Sequence, residues 1–588
     1  MGESVLKEEK KKAVNSPEQQ KKLEKWAALL REAKAAWEPQ RRKMERWEAL
    51  YGGSHEVAGS GRKSDNVRNI AYELVESQVE SSVPLPKVTA IHSEDTELAR
   101  RIEAFLRTEV MRLKLEVSND AQERTVPIQG GGWWEVGWDP LGGTHCQPGA
   151  LVVENRHPAL IVPQPGVQDP EQMDYIFECL PRSRRSLERI YGVALEEAAP
   201  EAGTEGEGTA ENEMLVQNIV FYKGDDGRVG RFSWVDDTVL EEMEDCRYNG
   251  AEERELKRDI EVAGPGGKPR TVHALVVEKE TAADGKGGTA LCRKLRRRVL
   301  PRYQAREYPL VLRRNVSREG QLLGCSDVEQ IADQQEALKK MGGKIQEKIL
   351  KGGSYVTLPQ GVGVETTDRE LKIIRLKTPA EKALIDVLNI QPDVTKEMTA
   401  AALCYDWAKS TLGITDSYQG KVDSTAQSGV AKQFAANQAA GRLQSKRVMK
   451  NAAYAALYEK MFHTMLACAE SPVSLRRETA AGGVEYGHLD PMELLRVDEA
   501  GELYWNDEFL FSVDNSATLA NNRQSMWTET RTNFTGGAFG PPSTPQAQRA
   551  YWTMLAKYDY PGALDAKAML EEQINEEEKS DEMSLVQH

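Results

Sequence analysis

A narrow seam of mostly apolar positions runs through the centre of the chain, between Gly324 and Gly353. The positions follow one another at alternating steps of three and four residues, which places them along one line of an α-helix. They are Val328, Ile331, Gln335, Leu338, Gly342, Ile345 and Ile349. Ser326 followed by Glu329 is a capping-box pattern and predicts the start of the helix. A seam this narrow favours packing against neighbouring helices, and its central glycine pair predicts a bend or a close approach.

The pattern after this helix changes twice. Short strands are predicted at residues 355–358 and 371–376, joined by a glycine-rich turn. Helical signals return at Thr378 and again at Pro392, from which a helix is predicted to run to Leu412. A Gly-, Asp- and Ser-rich loop follows, and then a helical pattern of about 40 residues, 428–469. The predicted order is therefore helix, small β insert, helix, loop and very long helix.

The flanking regions mix both types of element. Before the central helix, helices are predicted from Ser16, with a bend or restart at Pro39, and over residues 67–83 and 95–113. Alternating strand patterns follow at 133–138, 151–182 and 214–312, with a short helix from Arg182. After the long helix, residues 471–514 are predicted as strands and the remainder as helices. These elements together predict an α+β fold.

Composition describes a large polar-surfaced chain. Its 588 residues can form several subdomains, and 40% hydrophobic content with a mean hydropathy of −0.57 leaves much charged surface in water. We expect no membrane span, because apolar runs stay below ~18 residues, and an intracellular product, because the start of the chain lacks a signal-peptide pattern. The seven cysteines are scattered without a CxxC pair, which favours reduced thiols over disulfides or a zinc site.

The net charge of −15 bears on the partners of the chain. Tight DNA binding usually depends on clustered Lys and Arg that release counterions. An acidic chain is instead compatible with a surface past which DNA slides, because like charges repel. Acidic proteins are common, so the net charge by itself identifies no partner.

Motifs for catalysis are sparse. The chain has no GxxxxGK[ST] phosphate loop, HExxH metal pattern or GxSxG nucleophile elbow, and we expect no cofactor, no metal and no catalytic residues. The acidic cluster at 236–245 is interpreted as a solvated face rather than a nuclease metal site. The basic run at 293–302 fits a charge-protected strand edge better than a nucleic-acid contact.

The order of elements around the seam resembles the portal proteins of tailed bacteriophages, the rings through which double-stranded DNA enters and leaves a capsid. The segments GCSDVEQIADQQEALKKM and LGITDSYQG…SGVAKQF are similar to portals of phages or prophages of Gram-positive hosts. The resemblance implies a portal-type fold with an α/β wing, a two-helix stem, a small β-containing clip, a tunnel loop, a long kinked wing helix and an α-helical crown, and the charged start of the chain predicts a disordered N-terminus. The corresponding residues are 1–15 for the N-terminus, 16–323 for the first part of the wing, 324–350 and 391–412 for the two stem helices, 351–390 for the clip, 413–427 for the tunnel loop, 428–514 for the long wing helix and wing strands, and 515–588 for the crown and acidic tail.

The resemblance also implies partners. A portal is a homo-oligomer of about twelve subunits around passing double-stranded DNA, in the virion and, during assembly, in the host cytoplasm. It docks the large subunit of the terminase motor, major capsid and scaffolding proteins, and a head-completion or adaptor protein. Tunnel-loop candidates are Tyr418, Gln419, Lys421 and Asp423, and clip candidates for motor docking are Arg369, Lys372 and Arg375.

A stripe of lysines on the first stem helix provides the candidates for contact with DNA in a channel: Lys340, Lys344, Lys348 and Lys351. They would form rings that touch phosphates weakly. The simpler interpretation is that they complement the negative helix end and acidic neighbours such as Glu336 and Glu347.

Two other classes of function stay open at the level of sequence. One is a DNA-processing enzyme, either a nuclease or a packaging ATPase, although the missing phosphate loop argues against the ATPase. The other is a different connector ring of the virion, although such adaptors are usually much shorter.

Overall fold

The computed structural model describes residues 11–12, 15–53, 68–144, 147–195, 213–247, 254–256, 258–264, 269–284, 288–351, 353–357, 386–390, 393–414, 429–478, 484–514, 523–557, 560, 562–563 and 566–570. The sequence-based expectations for the remaining residues, including a disordered N-terminus, an acidic linker at 196–213 and an acidic tail, lie largely or wholly outside this part of the chain.

Ten α-helices occur in the described part. They are α1 Pro17–Tyr51, α2 Ile70–Glu76, α3 Thr96–Arg112, α4 Leu115–Gln129, α5 Arg184–Tyr191, α6 Asp327–Lys351, α7 Thr395–Leu412, α8 Gly429–Cys468, α9 Arg523–Thr535 and α10 Pro545–Lys557. Helices α6 and α8 lie where the periodicity predicts them. At 25 and 40 residues they extend for about 37 and 60 Å.

The strands are mostly short. In chain order they are β1 Lys11–Lys12, β2 Leu85–Ala90, β3 Gly131–Thr144, β4 Gln147–Arg156, β5 Ile161–Pro163, β6 Tyr175–Ser183, β7 Val193–Ala194, β8 Met214–Lys223, β9 Val229–Val235, β10 Thr238–Met243, β11 Arg254–Glu255, β12 Ile260–Ala263, β13 Pro269–Val272, β14 Leu275–Asp284, β15 Gly288–Arg297, β16 Val299–Leu300, β17 Leu310–Arg314, β18 Gly353–Thr357, β19 Asp386–Ile390, β20 Val473–Glu478, β21 Val484–Leu489, β22 Leu495–Val497, β23 Leu503–Trp505 and β24 Phe509–Asp514.

The strands form several small sheets. The largest has five strands in the order β10-β9-β8-β6-β5, and others have the orders β13-β12-β22-β23 and β17-β3-β4. The described pairings are antiparallel except for β1 with β7 and β12 with β22. Small antiparallel sheets beside separate helices define an α+β fold, as the sequence predicts.

Of the apolar cores in the described residues, three involve the long helices α1, α6 and α8. The largest packs the second half of α8 against α3, β3 and β4, with Tyr454, Phe462 and Trp134 fully buried. Another packs the first part of α1 onto the five-stranded sheet. The remaining one joins the end of α1, α2, α7 and the first half of α6. Helix α1 therefore contributes to two cores, which explains why it continues as one helix through Pro39 despite a cost of about 3 kcal/mol for an interior proline.

The structure departs from the predicted elements in three places. Residues 386–390 form β19 rather than helix, because they pair antiparallel with β18. Only Ile70–Glu76 of the helix predicted at 67–83 is helical within the described residues. Helix α4 was not predicted, because polar residues such as Asn119, Gln122 and Glu123 occupy its buried positions and hide the apolar period.

Candidate functional site

Hydrogen bonds from Ser326 and Gly324 to neighbouring backbone groups fix the start of α6 to the body of the protein. The Ser326 hydroxyl accepts a hydrogen bond from Glu329 N at 3.1 Å and donates to Ile128 O at 2.5 Å, so it caps α6 and ties it to the end of α4. Beside it, Gly324 N donates to Gly130 O at 2.9 Å. A Cβ on Gly130, which has φ +82°, would lie 2.2 Å from Gly324 O. Side chains are therefore excluded where the two segments meet.

The first half of the α6 seam is buried within the chain. Val328 and Ile331 are fully buried and Leu338 nearly so, against α1, α2 and α7. The polar seam residue Gln335 is also buried. Its Oε1 accepts hydrogen bonds from Ile70 N at 2.8 Å and Ala71 N at 3.2 Å, which compensate for the loss of water. Gln335 thereby satisfies free amides at the start of α2, which sequence periodicity did not reveal.

The second half of α6 pairs with the start of α7 and leaves the main body. β18 and β19 form an antiparallel ladder from Gly353 opposite Ile390 to Thr357 opposite Asp386. The end of α6 therefore lies beside the start of α7. Here Ile345 is only half-buried, and Ile349 is 57% exposed. The distal part of the seam thus lacks the cover that the proximal part has.

The predicted lysine stripe is divided by its surroundings. Lys340 and Lys344 are exposed, with no hydrogen bond or ion pair to another described residue. Lys348 Nζ donates to Asp393 O at 3.1 Å and pairs with Glu397 Oε1 at 2.5 Å. This hydrogen bond from Lys348 lowers the pKa of the Glu397 carboxyl. The side chain of Lys351 lies outside the described residues.

Helix α7 exposes large apolar side chains that the sequence analysis did not single out. Leu403 and Trp407, one turn apart, are 47% and 58% exposed. The following positions, Cys404 and Ala408, are buried in the core shared with α6. Trp407 therefore lies on a side of α7 that no other described residue covers. The interrupted apolar period around Cys404 is the sequence signal that could have revealed this exposed side.

The other candidate residues lie in parts of the chain that the structure does not describe. These are Tyr418, Gln419, Lys421 and Asp423 of the predicted tunnel loop, and Arg369, Lys372 and Arg375 of the predicted clip. Their roles as tunnel-loop and motor-docking candidates stay predictions.

His, Cys, Asp and Glu side chains are the candidates for metal and thiol chemistry in the described part of the chain. Within the described ranges, His, Cys, Asp and Glu side chains form no group of three that could hold a metal ion, including the acidic residues at 236–245. None of the five cysteines described there is in a disulfide: Cys179, Cys246, Cys325, Cys404 and Cys468. Burial raises the pKa of the Cys246 thiol to about 11, which keeps it protonated and unreactive.

Comparison with known proteins adds no relative: the chain matches no protein-family model and no curated protein. Every helix in the described part is too short or too polar to cross a lipid bilayer. Function is therefore inferred from the residues and their geometry.

Proposed function

We propose that this chain is a portal-type subunit of a tailed-phage capsid, and that its copies form a ring through which double-stranded DNA is packaged and ejected. The observation that carries the proposal is the α6–β18–β19–α7 hairpin. Its base is fixed in the core by Ser326 and the buried half of the seam, while residues 344–349 of α6 and the start of α7 are largely exposed. A rod held at one end and exposed at the other is suited to stand beside identical rods.

The uncovered apolar residues support contact with further copies of the chain. Ile349, Leu403 and Trp407 are each about half exposed or more. Leaving large apolar side chains in water forgoes about 25 cal/mol per Å² of burial. In a ring, a heterologous contact would cover them with a neighbouring subunit, and the rotation would close.

The proposed division of labour follows the resemblance. Helices α6 and α7 would be the stem, residues 351–390 the clip that docks the terminase, and residues 413–427 the tunnel loop. Helix α8 would belong to the wing and the C-terminal helices to the crown, in contact with capsid and scaffolding proteins. The portal would hydrolyse nothing and need no cofactor. About twelve subunits would surround the DNA, with adaptor proteins attached after packaging.

The particle shape tests the proposal most directly. Full-length protein, purified and viewed by negative-stain electron microscopy, is expected to show rings with a central hole wide enough for a duplex of ~20 Å. Light scattering on the same sample should give a mass of many subunits. A monomer at every concentration would refute the portal reading, and magnesium-dependent DNA cleavage by the pure protein would favour a nuclease.

The lysines of the stripe have a separate test. Lys340 and Lys344 are the exposed pair, so Lys340→Glu with Lys344→Glu is expected to preserve rings but reduce the DNA protected from nuclease in an in vitro packaging reaction. Lys21→Glu with Lys25→Glu, exposed on α1 at the same spacing, is the matched control. Normal packaging by the α6 variant would exclude lysine rings while leaving the ring itself in place.

A further inference from the structure

A cationic cleft lies away from the α6–α7 hairpin, where four parts of the chain meet. Its walls come from α4, the end of β17, the residues after α2 and the start of the described part of α8. It encloses about 120 Å³. Five cationic side chains line it: Arg313, Arg314, Lys446, Arg447 and Lys450. The acidic side chains in its lining are Glu80 and Glu123, so cations are in clear excess although the whole chain is acidic.

Three of the five cations are already held by the protein. Arg314 donates to Leu322 O at 2.8 Å and to Gln168 O at 3.1 Å. Lys446 pairs with Asp327, the first residue of α6. Lys450 Nζ lies 2.8 Å from Glu123 Oε1 and donates to Ser82 O at 3.0 Å. These contacts hold the walls of the cleft in position.

Arg313 differs because it is buried and only partly satisfied. It is 5% exposed, and its Nη2 donates to Glu123 Oε1 at 2.8 Å. Its Nε and Nη1 have no hydrogen-bond partner among the described residues. Unpaired buried donors are costly, by about 1–3 kcal/mol or more for a charged group. Arg313 therefore lines the cleft while carrying two buried donors that no described residue satisfies.

Two further features add to the attraction of an anion. Arg447 is exposed at the cleft and has no hydrogen bond or ion pair to another described residue. The negative charge of the Glu123 carboxyl is already compensated by cations. Burial raises the pKa of this carboxyl, but Arg313 and Lys450 together lower it by more, so the pKa lies below its ordinary value and Glu123 stays ionised. Arg313 and Arg447 thus keep charge that Glu123 and Glu80 do not balance.

We propose that this cleft is a binding site for a phosphate-type oxyanion. The unpaired Arg313 donors would bind its oxygens, and Arg447 would close over it from the surface. The volume fits a phosphate group and a few waters of ~30 Å³ each, with any larger carrier of the phosphate remaining outside. Because Lys446 in the same cleft pairs with Asp327, the bound anion would brace α8 against the base of α6.

The source of the phosphate group defines two arms of the experiment. Full-length protein is titrated by isothermal calorimetry with inorganic phosphate, and in parallel with a short DNA duplex, at constant ionic strength set with sodium chloride. Saturable binding of about one phosphate per chain is expected. Binding of inorganic phosphate would assign the site to a free anion, and binding of the duplex alone would assign it to a backbone phosphate.

Two variants test the residues. Arg447→Glu reverses an exposed charge and is expected to lower the affinity for the ligand by about tenfold or more. Arg313→Lys keeps the charge beside Glu123 but removes the unpaired guanidinium donors, and a loss of similar size is expected. The exposed Arg531→Glu on α9 is the matched control and should bind like the parent.

The result that would overturn the site is clear. Absence of saturable binding in both arms, or binding that Arg447→Glu and Arg313→Lys leave unchanged, would exclude it. Neither result affects the ring proposal, which depends on the α6–α7 hairpin and is tested by microscopy.

Discussion

At the scale of single residues, the partly buried carboxylate of Glu307 shows how this chain accommodates charge below its surface. His463 Nδ1 lies 2.6 Å from Glu307 Oε1, and Lys460 Nζ lies 3.7 Å from Oε2. Burial alone would raise the pKa of this carboxyl, but the hydrogen bond from His463 and the charges of Lys460 and Arg247 lower it to about 2. The ionised form is therefore favoured in the folded protein.

Glu307 consequently predicts a dependence of stability on acidity. Its folded pKa lies below the unfolded value of 4.5, so its contribution is complete above about pH 5 and is lost as pH falls towards 2. The difference between the two pKa values corresponds to about 3 kcal/mol. Glu307→Gln should lower the melting temperature at pH 7, and the gap from the parent protein should close between pH 5 and pH 2.5.

The exposed Glu499→Gln is the control for the loss of one carboxylate, and it should leave the melting temperature nearly unchanged at pH 7. A constant gap between Glu307→Gln and the parent over the whole acid range would show that Glu307 contributes through packing rather than through its charge.

At the scale of elements, α6 consists of two halves with different surroundings. Its proximal seam lies in the core with α1, α2 and α7, whereas its distal seam ends at the exposed Ile349. Periodicity predicted the helix itself correctly. It could not tell which part is buried in the same chain, because that depends on where α1 and α2 end in space.

Truncation to alanine is expected to affect subunit stability in the proximal half of α6 and assembly in the distal half. Leu338→Ala should destabilise the subunit by about 2–4 kcal/mol, because it leaves a cavity in a packed core. Ile349→Ala should change subunit stability by less than about 0.5 kcal/mol, because the side chain is already exposed, but should weaken assembly. Denaturant unfolding of the subunit and light scattering of the assembly measure the two effects.

An unchanged assembly in the Ile349→Ala variant would mean that the distal seam is not a contact between copies. A large loss of subunit stability in that variant would instead mean that residues of the same chain cover Ile349 in solution.

Other elements show where pattern and structure diverge. β19 formed because β18 offers it a strand partner some thirty residues earlier in the chain, which local helix signals at Thr378 and Pro392 do not register. Helix α4 escaped prediction for the converse reason. In the middle of α4 the buried face is held by polar contacts, such as Gln122 Nε2 donating to Trp133 O at 2.9 Å, which interrupt the apolar pattern.

At the scale of the whole molecule, charge is the property most relevant to the proposed conduit. The net charge of −15 disfavours tight, non-specific retention of DNA, because the 92 acidic side chains outnumber the 77 basic ones and repel the phosphates. The exposed Lys340 and Lys344 and the cationic cleft are local exceptions. A ring of such subunits would contact a sliding duplex without holding it.

This predicts weak retention of DNA by the purified protein. In an electrophoretic mobility assay with linear duplex at about 150 mM salt, little or no shift is expected at micromolar protein. A parallel assay at about 20 mM salt is the control, because weak contacts strengthen when screening is reduced. Tight retention at the higher salt would contradict a conduit.

The sequence by itself determined the α+β class, the long helices α6 and α8, the cap at Ser326 and the interrupted helical seam, because these depend on local spacing and capping. Only the tertiary structure decided that Gln335 caps α2, that Lys348 is paired with Glu397, and that Arg313, Arg447 and Lys450 meet in one cleft. Those arrangements join residues from 49 to more than 260 positions apart, such as Lys348 with Glu397 and Gln335 with Ile70. Contacts of that range depend on how whole elements pack, which local periodicity does not encode.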